Sequence, residues 1–269
     1  MSDIVYHFCS METFLKIVTE KKLKFSDIKK SNDGKEIDYL WDEYLKLHEN
    51  DIWMRFSKPQ QNEYVDCLAA CFSKTKSTLH MWTSYANEGV AIGFSEKELI
   101  DWSEKIEYIQ NKFVYNVEAN QPEDKTWLVK HGDVNYLKRG DVPAYIEKIK
   151  KKTSDKDLSI KFMQESPFIK MHYWQEEKEW RIVFFAYHNE EIVNIEETVK
   201  RHSVPLMYEM NSKHGARAYA LLDFESSMIK EIILAPNCVV SEEGIKKILI
   251  TQGIDIQKIQ VLRAQGSMR

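Results

Sequence analysis

Short apolar runs and helical patterns alternate along this chain. Residues 4–8 and 23–26 are rich in β-branched and aromatic residues, which indicates strands. Between them Phe14, Ile17 and Val18 recur at the spacing of one helical face, so the chain opens as strand, helix and strand. Further strands are predicted over 67–72, 90–94, 113–117, 179–185, 218–222, 229–234 and 256–262.

Helical spacing dominates the stretches between these runs. It predicts helices over 35–64, from 95 onward, over 142–152 and 155–165, and from a Ser241 cap to 250. Leu79–Tyr85 is either a turn or a short helix. Because strands and helices mix without strict βαβ alternation, we expect a single α+β domain over 1–265. Its sheet is expected to be mixed or mostly antiparallel, with flanking helices. The Lys-rich stretch at about 120–166 indicates a helical insertion, and 266–269 a disordered tail.

Composition narrows the classes of function. The net charge of −4 gives no general nucleic-acid signal, and no apolar run approaches the roughly 18 residues of a membrane helix. The N-terminus lacks a basic-then-apolar leader, so we expect a cytoplasmic protein without membrane contact. The four cysteines form no CxxC pair, and we expect no metal. GxGxxG, P-loop, HExxH and GxSxG motifs are absent from the sequence.

An aromatic pair marks the middle of the chain. Trp82 and Tyr85 are three residues apart, so one helical turn places both rings on the same side. Core packing explains such a pair as well as a stacking platform for a nicotinamide or nucleobase does. Ser73, at the end of a predicted strand, is either a strand-end cap or a ribose contact.

A charged block precedes the predicted strand at 179–185. If the strand extends through this block, Glu177, Glu179 and Arg181 share one face and Trp180 lies on the other. A buried row of this kind is costly unless its charges pair or meet a ligand. A solvated face with a salt bridge at its rim is the alternative.

Two polar groups near the N-terminus carry weaker signals. His7 on the first strand is either a partly buried histidine bonded to a carbonyl or a donor to a ligand hydroxyl or phosphate. Asn32, Asp33 and Glu36 fit a helix cap, and alternatively the mouth of a pocket.

The order of these segments resembles an uncharacterised bacterial family, domain of unknown function 2971. Its members share a Tyr-[His/Lys]-[Phe/Tyr] opening, an Asn-Asp-x-x-Glu turn, a Cys-Phe-Ser strand and two later blocks. Those blocks are Met-Trp-x-x-Tyr-Ala…Gly-Val-x-Ile-Gly-Phe and Lys…Trp-x-x-Glu-x-Glu-x-Arg. Here they correspond to Tyr6–Phe8, Asn32–Glu36, Cys71–Ser73, Met81–Phe94 and Lys170–Arg181.

A second, more distant resemblance suggests an activity. A His on the first strand, an aromatic residue on a middle segment and a Glu on a late strand are similar to ADP-ribosyltransferases of the His-Tyr-Glu type. This implies an ADP-ribosyltransferase-like split sheet and NAD as substrate. It implies that His7 holds the adenosine-side ribose, and that Trp82 or Tyr85 stacks on nicotinamide. Glu179 or Glu177 then steadies the oxocarbenium-like transition state.

The resulting hypotheses belong to three classes. The first is an NAD-dependent ADP-ribosyltransferase-like enzyme or NAD glycohydrolase in a toxin or phage-defence setting, with a nucleic acid or protein as acceptor. The second is a non-enzymatic sensor or interaction module that binds a small nucleotide. The third is a metal-dependent hydrolase or nuclease using Asp33, Glu36, Glu177 and Glu179. For the first, the catalytic candidates are Glu179, Glu177 and Arg181. The cofactor-binding candidates are His7, Tyr6, Ser73, Trp82, Tyr85, Lys170 and Trp174.

Overall fold

The computed structural model describes residues 3–30, 37–110, 129–187, 206–211 and 215–265. Its α-helices are α1 (Met11–Glu20), α2 (Asp38–Leu47), α3 (Ile52–Tyr64), α4 (Leu79–Tyr85), α5 (Glu96–Gln110), α6 (Val142–Lys150), α7 (Leu158–Glu165) and α8 (Glu242–Thr251). Its strands are β1 (Ile4–Cys9), β2 (Lys22–Asp27), β3 (Val65–Ser73), β4 (Val90–Ser95), β5 (Val129–Asp133), β6 (Asn135–Leu137), β7 (Ile169–Met171), β8 (Glu179–Tyr187), β9 (Met207–Asn211), β10 (Gly215–Asp223), β11 (Ile229–Leu234) and β12 (Gln260–Arg263).

Ten strands form one mixed sheet. The order is β12-β11-β4-β1-β3-β2-β10-β9, with β8 on the other side of β3 and β5 outside β8. Pairing within this described sheet is antiparallel except between β11 and β12. Strands β6 and β7 form a separate parallel pair. The α+β class with a mixed, mostly antiparallel sheet is therefore confirmed.

Strand β3 is the branch point of the sheet. It pairs with β8 along its whole length, from Val65 to Ser73. On its other edge, β1 pairs at Ser73 and β2 pairs at Leu68 and Ala69. The sheet therefore divides at β3 into a branch that begins with β1 and a branch that begins with β2.

A row of polar residues crosses the sheet at this branch point. The paired positions are Glu231, Gly93, Tyr6, Ser73 and Glu179, one on each of the strands β11, β4, β1, β3 and β8. Residues directly opposite each other in antiparallel strands project on the same face. All the side chains of this row therefore lie on one face, which we call the polar face.

Helices cover both faces of the sheet. On the face opposite the polar row, Trp102 of α5 packs against Phe25 of β2. Helix α1 packs into the main core through Phe14, Ile17 and Val18, and Ser10 caps its N-terminus by accepting from the backbone of Thr13. On the polar face, Val183 and Phe185 of β8 pack against a layer that includes α7. A second apolar cluster joins α2, α3, α6 and α7 within that layer.

The structure changes several predicted elements. The helix over 35–64 is two helices in its described part, because Asp51 accepts from the Tyr44 hydroxyl and caps the backbone of Met54 at the start of α3. The stretch at about 120–166 is not wholly helical, since 129–133 pairs with β8 in the main sheet. The strand over 256–262 begins only at Gln260, after a 3-10 turn.

Other differences concern elements without a clear signal and residues outside the description. Strands β6, β7 and β9 are short and lack the alternation that would have predicted them. The predicted strand over 113–117, the Asn32-Asp33-x-x-Glu36 turn and the tail 266–269 lie outside the described residues.

Candidate functional site

Two positive and two negative side chains are buried together on the polar face. We call Lys170, Glu177, Glu179 and Arg181 the Lys170 cluster; each is less than 10% exposed. The Lys170 ammonium lies 2.7 Å from Glu177 Oε2 and 2.9 Å from Glu179 Oε2. Arg181 donates to both oxygens of Glu179, at 2.7 and 2.8 Å. The formal charges cancel, so the interior holds a compensated network.

Local backbone geometry brings the two glutamates to one lysine. Glu177 ends a 3-10 turn, His172–Glu177, and Lys178 follows in the left-handed region with φ 42°. Strand β8 starts only at Glu179. The prediction that Glu177 lies on the strand is thus wrong, although it does reach the same cluster as Glu179 and Arg181.

Neighbouring segments fix both ends of this turn. The Ser73 hydroxyl donates to the Glu177 carbonyl at 2.5 Å, and the backbone of Lys74 donates to the Lys178 carbonyl at 2.8 Å. Tyr136 accepts from the backbone of Glu179 at 2.8 Å. Ser73 therefore holds the backbone of Glu177 in place through its hydroxyl.

The electrostatics of Glu179 are set by its two cations. Burial alone would raise the pKa of the Glu179 carboxyl, but Arg181 and Lys170 outweigh burial and lower its pKa from 4.5 to about 2. The nearby Cys71 thiol has a pKa well above its usual value, because of burial and then the Glu179 charge. At neutral pH, Cys71 is therefore a protonated thiol beside an ionised carboxylate.

Three aromatic rings form a rim around Glu177. Tyr85 donates to Glu177 Oε1 at 3.1 Å, and His80 Nε2 lies 3.5 Å from the same oxygen. The Trp174 ring lies 5.8 Å from the His80 ring, and the Lys170 ammonium lies 5.6 Å from the centre of the Trp174 ring. Tyr85 is 40% exposed, whereas Glu177 is 2% exposed. The rim therefore separates a buried carboxylate from solvent.

The pKa of the Tyr85 hydroxyl is raised well above its usual value. Burial is the main cause, followed by the negative charge of Glu177. The Tyr85 hydroxyl thus keeps its proton near neutral pH and stays a hydrogen-bond donor to Glu177.

A second buried carboxylate lies at the other end of the polar row. We call Tyr6, Lys76 and Glu231 the Tyr6 cluster. Tyr6 donates to Glu231 Oε2 at 2.7 Å, and Lys76 contacts Glu231 Oε1 at 3.0 Å. A Cβ atom at Gly93 would lie 2.9 Å from Ile4 and 3.1 Å from both Tyr6 and Glu231. Glycine at position 93 therefore makes room for this pair.

His7 lies apart from both clusters. Because Tyr6 is on the polar face, strand alternation places its neighbour His7 on the opposite face, where its ring contacts Phe72 at 5.9 Å. His7 Nδ1 is 3.1 Å from the Cys71 carbonyl, and burial lowers the pKa of its imidazole. The prediction that His7 and Glu179 lie together on one face of the sheet is therefore wrong.

Trp82 and Tyr85 have different environments. Trp82 is 4% exposed, packs edge-on against Phe8 and donates its indole N–H to the Lys76 carbonyl. It is thus a core residue that holds the loop carrying Lys76. Of the two aromatic candidates, only Tyr85 contacts the Lys170 cluster among the interactions described.

The Lys170 ammonium contacts both carboxylates that a metal ion in this cluster would use. Within the described ranges, no group of three or more His, Cys, Asp or Glu residues has the geometry to hold a metal ion. Between Glu177 and Glu179, the position of a bridging cation is occupied by the Lys170 ammonium. Asp33 and Glu36, which the nuclease hypothesis also needs, lie outside the described residues.

Comparison with known proteins adds one finding. Residues 81–182 match the model of a family described as a protein of unknown function, DUF2971. The DUF2971 match includes α4 from Met81 onward, strand β4 and the whole Lys170 cluster, but not His80, β1 or β11. No curated protein and no solved structure matches the chain. None of the helices in the described part of the chain has the length and apolarity needed to cross a bilayer.

Sequence reasoning missed four residues that now belong to these clusters. His80, Lys76, Tyr136 and Glu231 each contact a buried charge or its backbone. Glu231 did carry a signal, because it is a charged residue inside the apolar run Ile229–Leu234. For His80, Lys76 and Tyr136 the contacts depend on segments distant in sequence, so no local pattern indicates them.

Proposed function

We propose that the chain binds NAD at the aromatic rim and cleaves the bond between nicotinamide and ribose, with Glu177 as the catalytic carboxylate. The observation that carries this proposal is the position of Glu177, buried below His80, Tyr85 and Trp174 and oriented by Lys170. The split sheet at β3 also fits the ADP-ribosyltransferase-like fold implied by the resemblance.

The chemistry follows from the charges. As the glycosidic bond breaks, nicotinamide leaves as a neutral molecule with the bonding electrons, and positive charge develops on the ribose. A fixed carboxylate next to that ribose stabilises the developing charge. An acceptor hydroxyl or water then bonds to the ribose carbon and releases its proton, which yields an ADP-ribosylated macromolecule or free ADP-ribose.

The residues divide into two roles in this proposal. Glu177 acts on the ribose, and Tyr85 and Trp174 supply ring surfaces for the nicotinamide. Glu179 is a positioning residue, because both of its oxygens are used by Arg181 and Lys170. His7 has no role, since it faces the other side of the sheet.

The test is nicotinamide release from NAD by the purified chain, alone and with nucleic acid or lysate protein added. Glu177→Gln is expected to lose release while keeping the fold. The matched control is Glu176→Gln, which changes the exposed neighbouring glutamate and is expected to keep full activity. A well-folded sample that releases no nicotinamide from any mixture would refute the proposal.

One observation favours a second candidate, a nucleotide-binding module without turnover. Lys170 contacts both glutamates, so part of the Glu177 charge is already compensated in the ligand-free state. Stabilisation by NAD in thermal unfolding, without nicotinamide release, would support this candidate, because a bound ligand raises the melting temperature by mass action.

A further inference from the structure

We infer that His80 and Trp174 donate hydrogen bonds to an oxygen-bearing group of the bound ligand, next to Glu177. The inference rests on the proposed function, of which it specifies the ligand contacts. It also concerns His80, which no sequence motif assigned to the site.

Two buried ring nitrogens carry this inference. His80 Nε2 and Trp174 Nε1 have almost no solvent contact, and neither makes a hydrogen bond in the described ranges. Glu177 Oε1 lies 3.5 Å from His80 Nε2, but the two atoms are not hydrogen-bonded. Buried polar atoms of native proteins are nearly always paired, since an unpaired donor loses its bond to water without replacement. Two such atoms on adjacent rings therefore indicate a partner that binds there.

The two rings are held in place by other contacts. Thr83 donates to the His80 carbonyl, and the Ser84 hydroxyl lies 3.4 Å from His80 Nδ1, which leaves Nε2 on the side of Glu177. Trp174 stands between the His80 ring at 5.8 Å and the Lys170 ammonium at 5.6 Å. Neither ring needs its N–H for its own placement.

The neighbouring groups define the chemistry of the ligand. Glu177 Oε1 accepts from Tyr85 and lies 3.5 Å from His80 Nε2, and the Trp174 ring lies 5.8 Å from the His80 ring. One acceptor and two donors therefore belong to neighbouring side chains. A ligand group that combines an acceptor oxygen with a donor O–H or N–H satisfies them together. The ribose diol and the carboxamide of NAD both have this composition.

Other buried indoles serve as the internal comparison. Trp102 donates its N–H to the Asp223 carbonyl at 2.9 Å. Replacing a tryptophan with phenylalanine removes the N–H and keeps much of the ring. Trp102→Phe therefore breaks a hydrogen bond in the ligand-free protein, whereas Trp174→Phe breaks none that the described part of the chain provides.

The experiment measures the melting temperature of the full chain and its binding of NAD, ADP-ribose and nicotinamide by calorimetry. Without ligand, Trp174→Phe and His80→Phe are expected to melt at or above the wild-type temperature, and Trp102→Phe below it. In binding, His80→Phe and Trp174→Phe are expected to weaken NAD by about five-fold or more each, the loss expected for one hydrogen bond. Trp102→Phe is expected to bind as the wild type does.

Two results would overturn the inference. One is a ligand-free Trp174→Phe that melts as far below the wild type as Trp102→Phe does, which would show that the indole N–H has a partner within the protein. The other is NAD binding that is undetectable in the wild type or unchanged in both variants. If binding depends on His80 and Trp174 but no nicotinamide is released, the catalytic proposal fails and this inference stands.

Discussion

The Lys170 cluster and the Tyr6 cluster lie on the same face and in the same row of the sheet, yet they stabilise buried carboxylates differently. In the first, two cations that are themselves buried compensate Glu179 and Glu177. In the second, Glu231 depends on the Tyr6 hydroxyl and on Lys76, whose side chain is 51% exposed. Because the carboxylates are buried in both clusters, their burial does not distinguish the two. The difference lies in the paired cation, which is buried in the first cluster and half-exposed in the second.

The largest loss of stability is expected when Arg181, the most deeply buried cation of the Lys170 cluster, is replaced. Arg181→Met leaves Glu179 with one cation in place of two, at a position where Arg181 is 1% exposed. We expect a loss of about 3–5 kcal/mol in the free energy of unfolding, the usual cost of an uncompensated buried charge. Urea unfolding measures it.

The matched control removes both charges of that pair. In Glu179→Gln combined with Arg181→Met, Lys170 and Glu177 still balance each other, so part of the loss is expected to return. A single Arg181→Met variant as stable as the wild type would contradict the view that this network is strongly coupled.

The next effect is a dependence of stability on pH. The pKa of Glu179 is lowered from 4.5 to about 2, so the folded state holds fewer protons than the unfolded state between those values. The associated stability is fully present above pH 5 and is lost as the pH falls through 4.5 toward 2. By linkage, the loss amounts to about 3 kcal/mol.

Denaturant unfolding at pH 7, 5 and 3 tests this dependence. The Glu179→Gln variant is less stable at pH 7 but is expected to lose distinctly less between pH 5 and 3 than the wild type does. Equal losses in the two proteins would show that Glu179 is not the group responsible.

A smaller effect is expected in the Tyr6 cluster. Tyr6→Phe removes the donor to Glu231 Oε2 and leaves Lys76 as the remaining described partner of that carboxylate. We expect a loss of about 1.5–3 kcal/mol, as for a hydrogen bond to a charged group. Tyr219→Phe on β10, outside both clusters, is the control, and equal losses in the two variants would contradict the assignment.

The smallest effect is expected for the exposed cation. Lys76→Met removes the ion pair with Glu231, but solvent screens a half-exposed ammonium, so the change should be below about 1 kcal/mol. Added salt should reduce the difference between the variant and the wild type further. A loss as large as that of Arg181→Met would remove the distinction drawn between the two clusters.

Local periodicity predicted much of this arrangement. Strand alternation over 179–185 placed Glu179 and Arg181 on one face, and the structure agrees. The same rule, applied to β1, already separates Tyr6 from His7, because neighbours on a strand point to opposite faces. The resemblance required His7 on the face of Glu179, whereas strand alternation places it on the opposite face. The structure agrees with strand alternation.

The remaining features depend on contacts that local patterns do not encode. Glu177 reaches Lys170 through a left-handed residue, Lys178, where a non-glycine residue rarely adopts such a backbone. His80 joins the site because α4 packs over the turn that ends at Glu177. Such placements follow from tertiary packing, so only the folded chain reveals them.

The branch at β3 has a consequence for how the protein acquires its shape. Strand β3 must pair with β1, β2 and β8, and the partner β8 begins more than 100 residues later in the chain. Pairings over such separations carry a large loop-closure cost and slow the formation of the native state. During synthesis, β8 and the last residues of the Lys170 cluster therefore become available only after β1 to β7, and β9 to β12 follow them.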